Sequence, residues 1–397
     1  MDTVRAEVAE LTSLNDLKPM LASSSPCLSV YLPMSSAPAN QAAKVNALEW
    51  RECLRTAQAK AEQMGPEATE LLNSVSDFEA VAPSGEAKGK SIAVFRSREV
   101  FKTVWLHNSV AAKAVVGPHF CIRPMLPELV RDESFAVLAL SQNDVRLLRC
   151  THTSSEVVPL ANGVPTSFEG YMNPAKPDHV SDNRSSPGPS SGTSKGVMFG
   201  TSTEREDKGE HLAHFYKQMD RAVNEALRET KESLVLVGVE YELSLYRSLS
   251  TYPKLVEEGV QGAPNSLKSG EMHARAIKAI DKHHENKMDA ALAEYNHKAG
   301  GGASNRLEDI VPAAYDGRVL TLFIPDLREQ VGKFDDSTYT TKGGEDGTPD
   351  AEDLVNAAAI QTILHAGQVF VLPDAKMPDG APLAAVFRFN WGGAGTF

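Results

Sequence analysis

The chain has 397 residues, of which 42% are apolar, and a formal net charge of −12. A length near 400 suits two or three domains, and no run of about 18 uncharged apolar residues is present to span a membrane. The acidic balance argues against a protein that coats nucleic acid through bulk electrostatics, although it leaves local contact with folded RNA open.

Taken in chain order, the first segment predicts an amphipathic helix over 4–17, a strand over 27–32 and a turn at Pro33. The opening residues are acidic and amphipathic without the apolar stretch of a secretory signal, so a cytoplasmic location is expected. A second helix over 44–63 carries Ala47, Leu48, Cys53, Leu54 and Ala57 at helical spacing and stops at Gly65 and Pro66. Strands over 91–95 and 100–106 follow, parted by Arg96, Ser97, Arg98 and Glu99, and then an apolar run around Phe120. Pro118, Pro124 and Pro127 punctuate the chain beyond, which sets a domain boundary near Arg131. Cys27, Cys53, Cys121 and Cys150 are scattered without a Cys-x-x-Cys pair, so neither zinc nor a disulfide framework is expected.

The middle domain is expected over 132–262. Strands over 135–140, 145–150 and 155–160 form a meander; a helix over 212–227 leads into a buried strand over 233–239. Between them lies a polar insert, 173–203, rich in glycine, proline and serine, whose composition builds neither helix nor strand. Loops of that length inside a compact domain are functional binding loops or spacers. The last domain, 263–397, alternates a long helix over 269–295, a helix over 305–314, a strand over 319–324, a helix over 351–366 and strands over 369–372 and 384–389. That alternation predicts a three-layer α/β/α sandwich.

Several clusters are weighed as chemistry. The stretch from Gly188 to Lys195 lacks the spacing of a phosphate loop, and no buried strand precedes it. His283, His284, His273 and His297 suit a solvated helix face better than a metal site; His211 and His214 sit near acids that suit a helix amino terminus. Tyr241, Tyr246, Tyr252 and Arg247 follow the strand near Val235, where α/β sheets carry sites or pack domains together. No order of residues for nucleophilic catalysis emerges, and no cofactor or metal is implied.

The Tyr246-Arg-Ser-Leu-Ser-Thr-Tyr-Pro stretch, the helix around Glu271 and Met272, and the Gly367-Gln-Val-Phe-Val-Leu-Pro stretch, in this three-part α/β order, resemble the archaeo-eukaryotic peptide-chain release factors and Pelota. The closer resemblance is to their bacterial branch, with its Balon-like hibernation factors. It implies three α/β domains with mixed sheets flanked by helices, arranged as in those tRNA mimics. It also implies a monomer that occupies the ribosomal A site, its first domain toward the decoding centre and its middle-domain loop toward the peptidyl transferase centre. The ribosome would be the partner, together with elongation factor Tu, and no membrane. The family's Gly-Gly-Gln tripeptide, whose glycines let the backbone approach the ester, occurs nowhere in this sequence. Occupancy without peptide release is therefore expected, with no catalytic residue; hydrolysis of peptidyl-tRNA or RNA by an unorthodox loop is the alternative. The expected contacts with RNA are Lys176, His179, Arg184, Gly192, Lys195 and Gly196 of the insert, through side chains and backbone N–H groups, and Arg96 and Arg98 of the first domain.

Overall fold

A computed structural model describes residues 7–9, 14–23, 26–77, 89–131, 134–161, 163–173, 202–299, 301–335, 337–344 and 351–389. The first segment contains β1 (Glu7–Ala9), α1 (Leu14–Leu21), β2 (Cys27–Pro33), α2 (Ala39–Met64), α3 (Pro66–Ser74), β3 (Ser91–Arg96), β4 (Phe101–Leu106), β5 (Lys113–Gly117) and a short α4 (Leu126–Arg131). Its sheet runs β1-β4-β3-β2-β5, antiparallel except where β1 pairs parallel with β4. The helix expected over 4–17 is thus a strand followed by a shorter helix: Glu7 to Ala9 find hydrogen-bond partners at 102–104, and that long-range pairing overrides the local helical period. The strand β5 and the helix α3, which starts with Pro66 at its first position, were not legible either.

In β2 the side chains alternate between two covered faces, which is why the whole strand reads apolar. Leu28, Val30 and Leu32 pack with Trp50, Leu54, Ala57 and Ala61 of α2. Leu48, expected on that inner stripe, is 69% exposed instead. Tyr31, Ala93 and Phe95 belong to a second core, shared with the last segment.

The middle segment holds β6 (Phe135–Ala139), β7 (Arg146–Cys150), β8 (Ser155–Val158), α5 (Phe168–Met172), α6 (Ser202–Ala226), β9 (Ser233–Gly238), α7 (Glu240–Leu249) and β10 (Val260–Gln261). The sheet order is β10-β9-β6-β7-β8, with β10, β9 and β6 parallel and the meander antiparallel. Leu212, Phe215, Tyr216, Met219 and Val223 of α6 cover one face together with Leu243 and Tyr246 of α7. Met272, Ala276 and Ile280, from the first half of α8 (Ser269–Lys298), cover the other.

The last segment continues with β11 (Ala303–Ser304), α9 (Leu307–Tyr315), β12 (Val319–Pro325), β13 (Val331–Asp335), β14 (Thr340–Gly343), β15 (Glu352–Asp353), α10 (Leu354–Leu364), β16 (Gln368–Leu372) and β17 (Ala384–Phe387). A four-stranded sheet, β11-β17-β12-β16, lies between the second half of α8, through Ala291 and Tyr295, and the pair α9 and α10. This is the expected three-layer sandwich. The small sheet β14-β13-β15, in which most residues of the hairpin face water, gave no alternating apolar signal in the sequence.

The chain divides into two compact units, Met1–Glu133 with Asn286–Phe397, and Ser134–Glu285. The first and last segments, expected as separate domains, share one core in which Tyr31, Phe95 and Phe120 meet Ile310, Leu354, Ala358 and Ile363. That explains α10, apolar almost all round: its own sheet covers one side and the first segment the other. Polar groups align the seam. Asn356 Nδ2 donates to the Phe120 carbonyl at 2.9 Å, and its Oδ1 accepts from the Ile122 amide at 2.9 Å. Buried Arg123 donates through Nη1 to Asp353 Oδ2 at 2.6 Å, and through Nη2 to the carbonyls of Pro325 at 2.9 Å and Arg328 at 2.7 Å. Asp353 in turn caps α10 by accepting from the Val355 amide at 3.2 Å.

Candidate functional site

The insert leaves the middle unit from an aromatic ledge. Ser167 caps α5, its Oγ accepting from the Gly170 amide at 3.1 Å, and the Phe168 amide donates to the Gln142 carbonyl at 2.7 Å. The rings of Phe168 and Tyr171, on the chain entering the insert, lie 6.0 and 5.7 Å from that of Phe215, on the helix leaving it. Phe215 then touches Tyr216 at 5.5 Å, and Tyr216 touches Tyr246 at 6.0 Å. Such pairs each add about 0.5–1.5 kcal/mol beyond the area they bury, so the chain entering the insert is held against the helix that follows it. Lys176, His179, Arg184, Gly192, Lys195 and Gly196 lie outside the described residues.

Beside this ledge are the carboxyl ends of β6 and β9. The chain turns from β6 toward β7 on one side and from β9 toward β10 on the other, the topological reversal at which α/β sheets place ligands. Gly238 ends β9 there because a Cβ would lie 3.2 Å from the Leu140 carbonyl oxygen and 3.3 Å from Leu243. Glu242, in the first turn of α7, is buried at this rim. Burial raises its carboxyl pKa, while hydrogen bonds from Gln142 and from the Val239 backbone work the other way. The Tyr216 hydroxyl is sealed from solvent without a hydrogen-bond partner among the described residues. Burial pushes its pKa up, and the neighbouring charge of Glu242 adds to the shift. Glu242 is thus a buried carboxyl at the rim whose pKa lies above its ordinary value. Tyr241, the next residue back, is 58% exposed.

Below the rim, Asp220 of α6 organises the end of α7. Its Oδ1 accepts from Ser250 Oγ at 2.7 Å and from the Tyr246 hydroxyl at 3.3 Å; its Oδ2 accepts from the Thr251 amide at 2.9 Å and Thr251 Oγ1 at 2.6 Å. Tyr252 reaches the Glu232 carbonyl at 2.5 Å, and Arg247 donates to the Val256 carbonyl at 3.1 Å. The tyrosine-rich stretch singled out in the sequence is therefore mostly interior, and Tyr241 is its outward member. Sequence reasoning passed over Asp220, although a carboxylate between Met219 and the buried Ala222 and Val223, on the inner stripe of an amphipathic helix, is a signal for a buried polar knot.

Arg96 and Arg98 sit at the β3–β4 turn of the other unit. Arg96 closes that turn: Nη1 donates to the Ser97 carbonyl at 2.8 Å and the Val100 carbonyl at 3.4 Å, and the guanidinium lies 5.0 Å from the Phe101 ring centre. Burial lowers its pKa. Arg98, two residues on, is exposed. The structure thus separates a structural arginine from an outward one. Among the histidines, His273 contacts the Thr151 carbonyl at 2.7 Å and His152 contacts Asp281 at 2.9 Å. Among the described residues no group of three or more His, Cys, Asp or Glu could hold a metal ion, and no helix is long and apolar enough to cross a membrane.

Comparison with known proteins places this geometry. Residues 134–318, from β6 to the residue before β12 and therefore including both ends of the insert, match the model of bacterial archaeo-eukaryotic release factor family 3. No curated protein matches the chain in sequence. Among solved structures it is similar to the archaeal translation termination factor aRF1, at 14% identity over 95% of this chain and 96% of that one, with a TM-score of 0.20. It is similar to archaeal Pelota, ribosome-bound with ABCE1, at 11% identity over 96% of each chain, with a TM-score of 0.38. It is also similar to S. cerevisiae Dom34, a translation termination-like factor of RNA quality control that interacts with Hbs1, at 11% identity over 76% of this chain and 80% of that one, with a TM-score of 0.39.

Proposed function

We propose that this chain, release-factor-like across residues 134–318, is a cytoplasmic ribosome-binding factor that fills the A site as a tRNA mimic and shields idle ribosomes without releasing peptide. The observation that carries the reading is a conjunction. The family match spans the insert and its rigid base, yet the Gly-Gly-Gln tripeptide by which release factors act is missing from the sequence. A long polar insert that starts from a fixed ledge and lacks that tripeptide suits occupancy rather than hydrolysis. The first-segment turn bearing Arg98 and the insert bearing Lys176, Arg184 and Lys195 supply cations for ribosomal RNA on this reading, and the resemblance to hibernation factors adds elongation factor Tu as a partner of the monomer.

One observation favours the alternative. Glu242, buried beside the root of the insert with a raised pKa, has the environment of a general base or acid, so peptidyl-tRNA or RNA hydrolysis is the second reading. Two measurements decide. The protein should co-sediment with 70S particles from stationary or cold-shocked cells; its absence from ribosomal fractions under every stress would end both readings. Added to ribosomes holding peptidyl-tRNA, it should release no peptide above background. Release by the wild type that disappears in Glu242→Gln would establish the hydrolase instead.

A further inference from the structure

The outer face of α6 and the chain just after it carry exposed cations, most of which the fold does not use. Lys217 and Arg221 are exposed on α6, and Arg228 and Lys231 are exposed in the turns that follow it. At 100° per residue Lys217 and Arg221 stand about 40° apart around the axis, directly opposite the stripe of Phe215, Met219 and Val223. Several cations on exposed helix faces are matched by a carboxylate three or four residues away, as in Arg55 with Glu52, Arg275 with Glu271 and Lys298 with Glu294. In this row Arg228 has such a partner, Glu225 at 3.3 Å. Lys217, Arg221 and Lys231 have no ion pair or hydrogen bond among the described residues. Asp220, the carboxylate nearest Lys217 and Arg221 in sequence, is turned inward and taken up by Tyr246, Ser250 and Thr251, and Glu232, next to Lys231, is taken up by Ser134 and Arg149.

The i,i+4 neighbour of Lys217 is another cation, Arg221, a like-charge pairing that weakens a helix, while the i,i+4 neighbour of Arg221, Glu225, is taken up by Arg228 at 3.3 Å. With 52 acidic and 40 basic residues in the chain, a carboxylate at either place would be the ordinary solution. Exposed cations left without a carboxylate of their own point to a polyanion outside the protein.

We propose that Lys217, Arg221 and Lys231, with Arg228 beside them, form a face that tracks the phosphate backbone of RNA without reading its bases. This rests on the ribosome reading above and deepens it by naming the surface and the group contacted, ribosomal RNA phosphate. Lysine and arginine against phosphate fix position and carry no sequence information, as a shape-reading factor requires.

The test is the triple variant Lys217→Gln, Arg221→Gln, Lys231→Gln, in the full-length protein, bound to vacant 70S ribosomes and separately to a synthetic 20-base-pair RNA duplex across a series from 50 to 200 mM KCl. All three side chains are exposed, so the melting temperature should stay with the wild type. Each lost phosphate contact removes something under one from the log–log slope, so the slope should become shallower by about two to three; wild-type affinity should then fall up to about 40-fold more than the variant's across that range. Equal affinity and slope in wild type and variant, with the wild type bound to ribosomes, would overturn the row while leaving the ribosome reading intact. Weaker binding with an unchanged slope would replace phosphate by an acidic protein surface. A wild type that binds the duplex through these residues but not ribosomes would keep the row and remove the ribosome reading; binding to neither would remove both.

Discussion

Arg123 and Asp220 are both charged and both nearly sealed from water, at 6% and 3% exposure, yet the structure uses them differently. Arg123 meets its partners across the seam between the first and last segments, over sequence separations of 230, 202 and 205 residues. Asp220 gathers groups from one turn, 26 to 31 residues away. One centre therefore ties together segments that the chain order keeps apart, and the other finishes a helix within its own unit. The electrostatic setting differs too. Arg123 faces a full opposite charge in Asp353, whereas Asp220 is held by an amide and three hydroxyls, neutral donors that a single substitution would leave without an acceptor.

The largest effect should come from breaking the long-range centre. Arg123→Ala leaves Asp353 without its cation and the carbonyls of Pro325 and Arg328 without their donor. Removing one partner of a buried pair costs about 3–5 kcal/mol, so the melting temperature should fall on the order of 10 °C. Arg123→Lys should recover little, because a single ammonium cannot reproduce the fork that serves three acceptors on two nitrogens. Calorimetry of the full chain checks this. A variant that melts with the wild type would show that the seam is held by the shared apolar core alone.

Asp220→Ala should cost less, about 2–3 kcal/mol, because some of the orphaned hydroxyls lie close enough to solvent to be rehydrated. The damage should also stay local, which is the sharper contrast. By hydrogen exchange the Thr251 amide, which donates to Asp220, should lose protection while the Ile122 amide, which donates to Asn356, keeps it. Arg123→Ala should expose Ile122 and spare Thr251. Loss of protection at both positions in both variants would mean that the two centres report one cooperative structure.

The same contrast sorts what the sequence reveals. Elements with a strong local signal were legible: the buried strands at Val30, Val137, Val235 and Leu322, and the helices α6 and α8. Elements that depend on distant partners were not. The strand β1 exists because β4 offers an edge, and the fused core exists because α10 is apolar on two sides, which reads the same in sequence as a helix buried in a single domain. At the candidate site, the exposed arginine and the structural one are two residues apart and chemically identical. Only the carbonyls of Ser97 and Val100 around Arg96 tell them apart. The unpaired cations of α6 were equally hidden, since Asp220 looks like an i,i+3 partner for Lys217 until its side chain is seen to point inward.

The smallest effect separates charge from geometry within the seam itself. His119 Nδ1 lies 2.7 Å from Glu352 Oε2, on the β5 side of Arg123. Burial disfavours the charged imidazole, but the hydrogen bond and the charge of Glu352 outweigh it, and the His119 pKa is raised above its ordinary value near 6.5. A histidine whose folded pKa is raised contributes stability that is fully present below the unfolded value and is lost as pH rises through the folded one. His119→Gln should therefore lower the melting temperature at pH 5.5 by an amount worth under about 1 kcal/mol, and by less at pH 8.5, toward which the contribution of the charged imidazole is lost. Arg123→Ala, whose guanidinium stays charged throughout, should cost the same at both values. Equal losses for His119→Gln at the two pH values would show that the pair acts as a neutral hydrogen bond, and that Arg123 with Asp353 is the charge that matters at the seam.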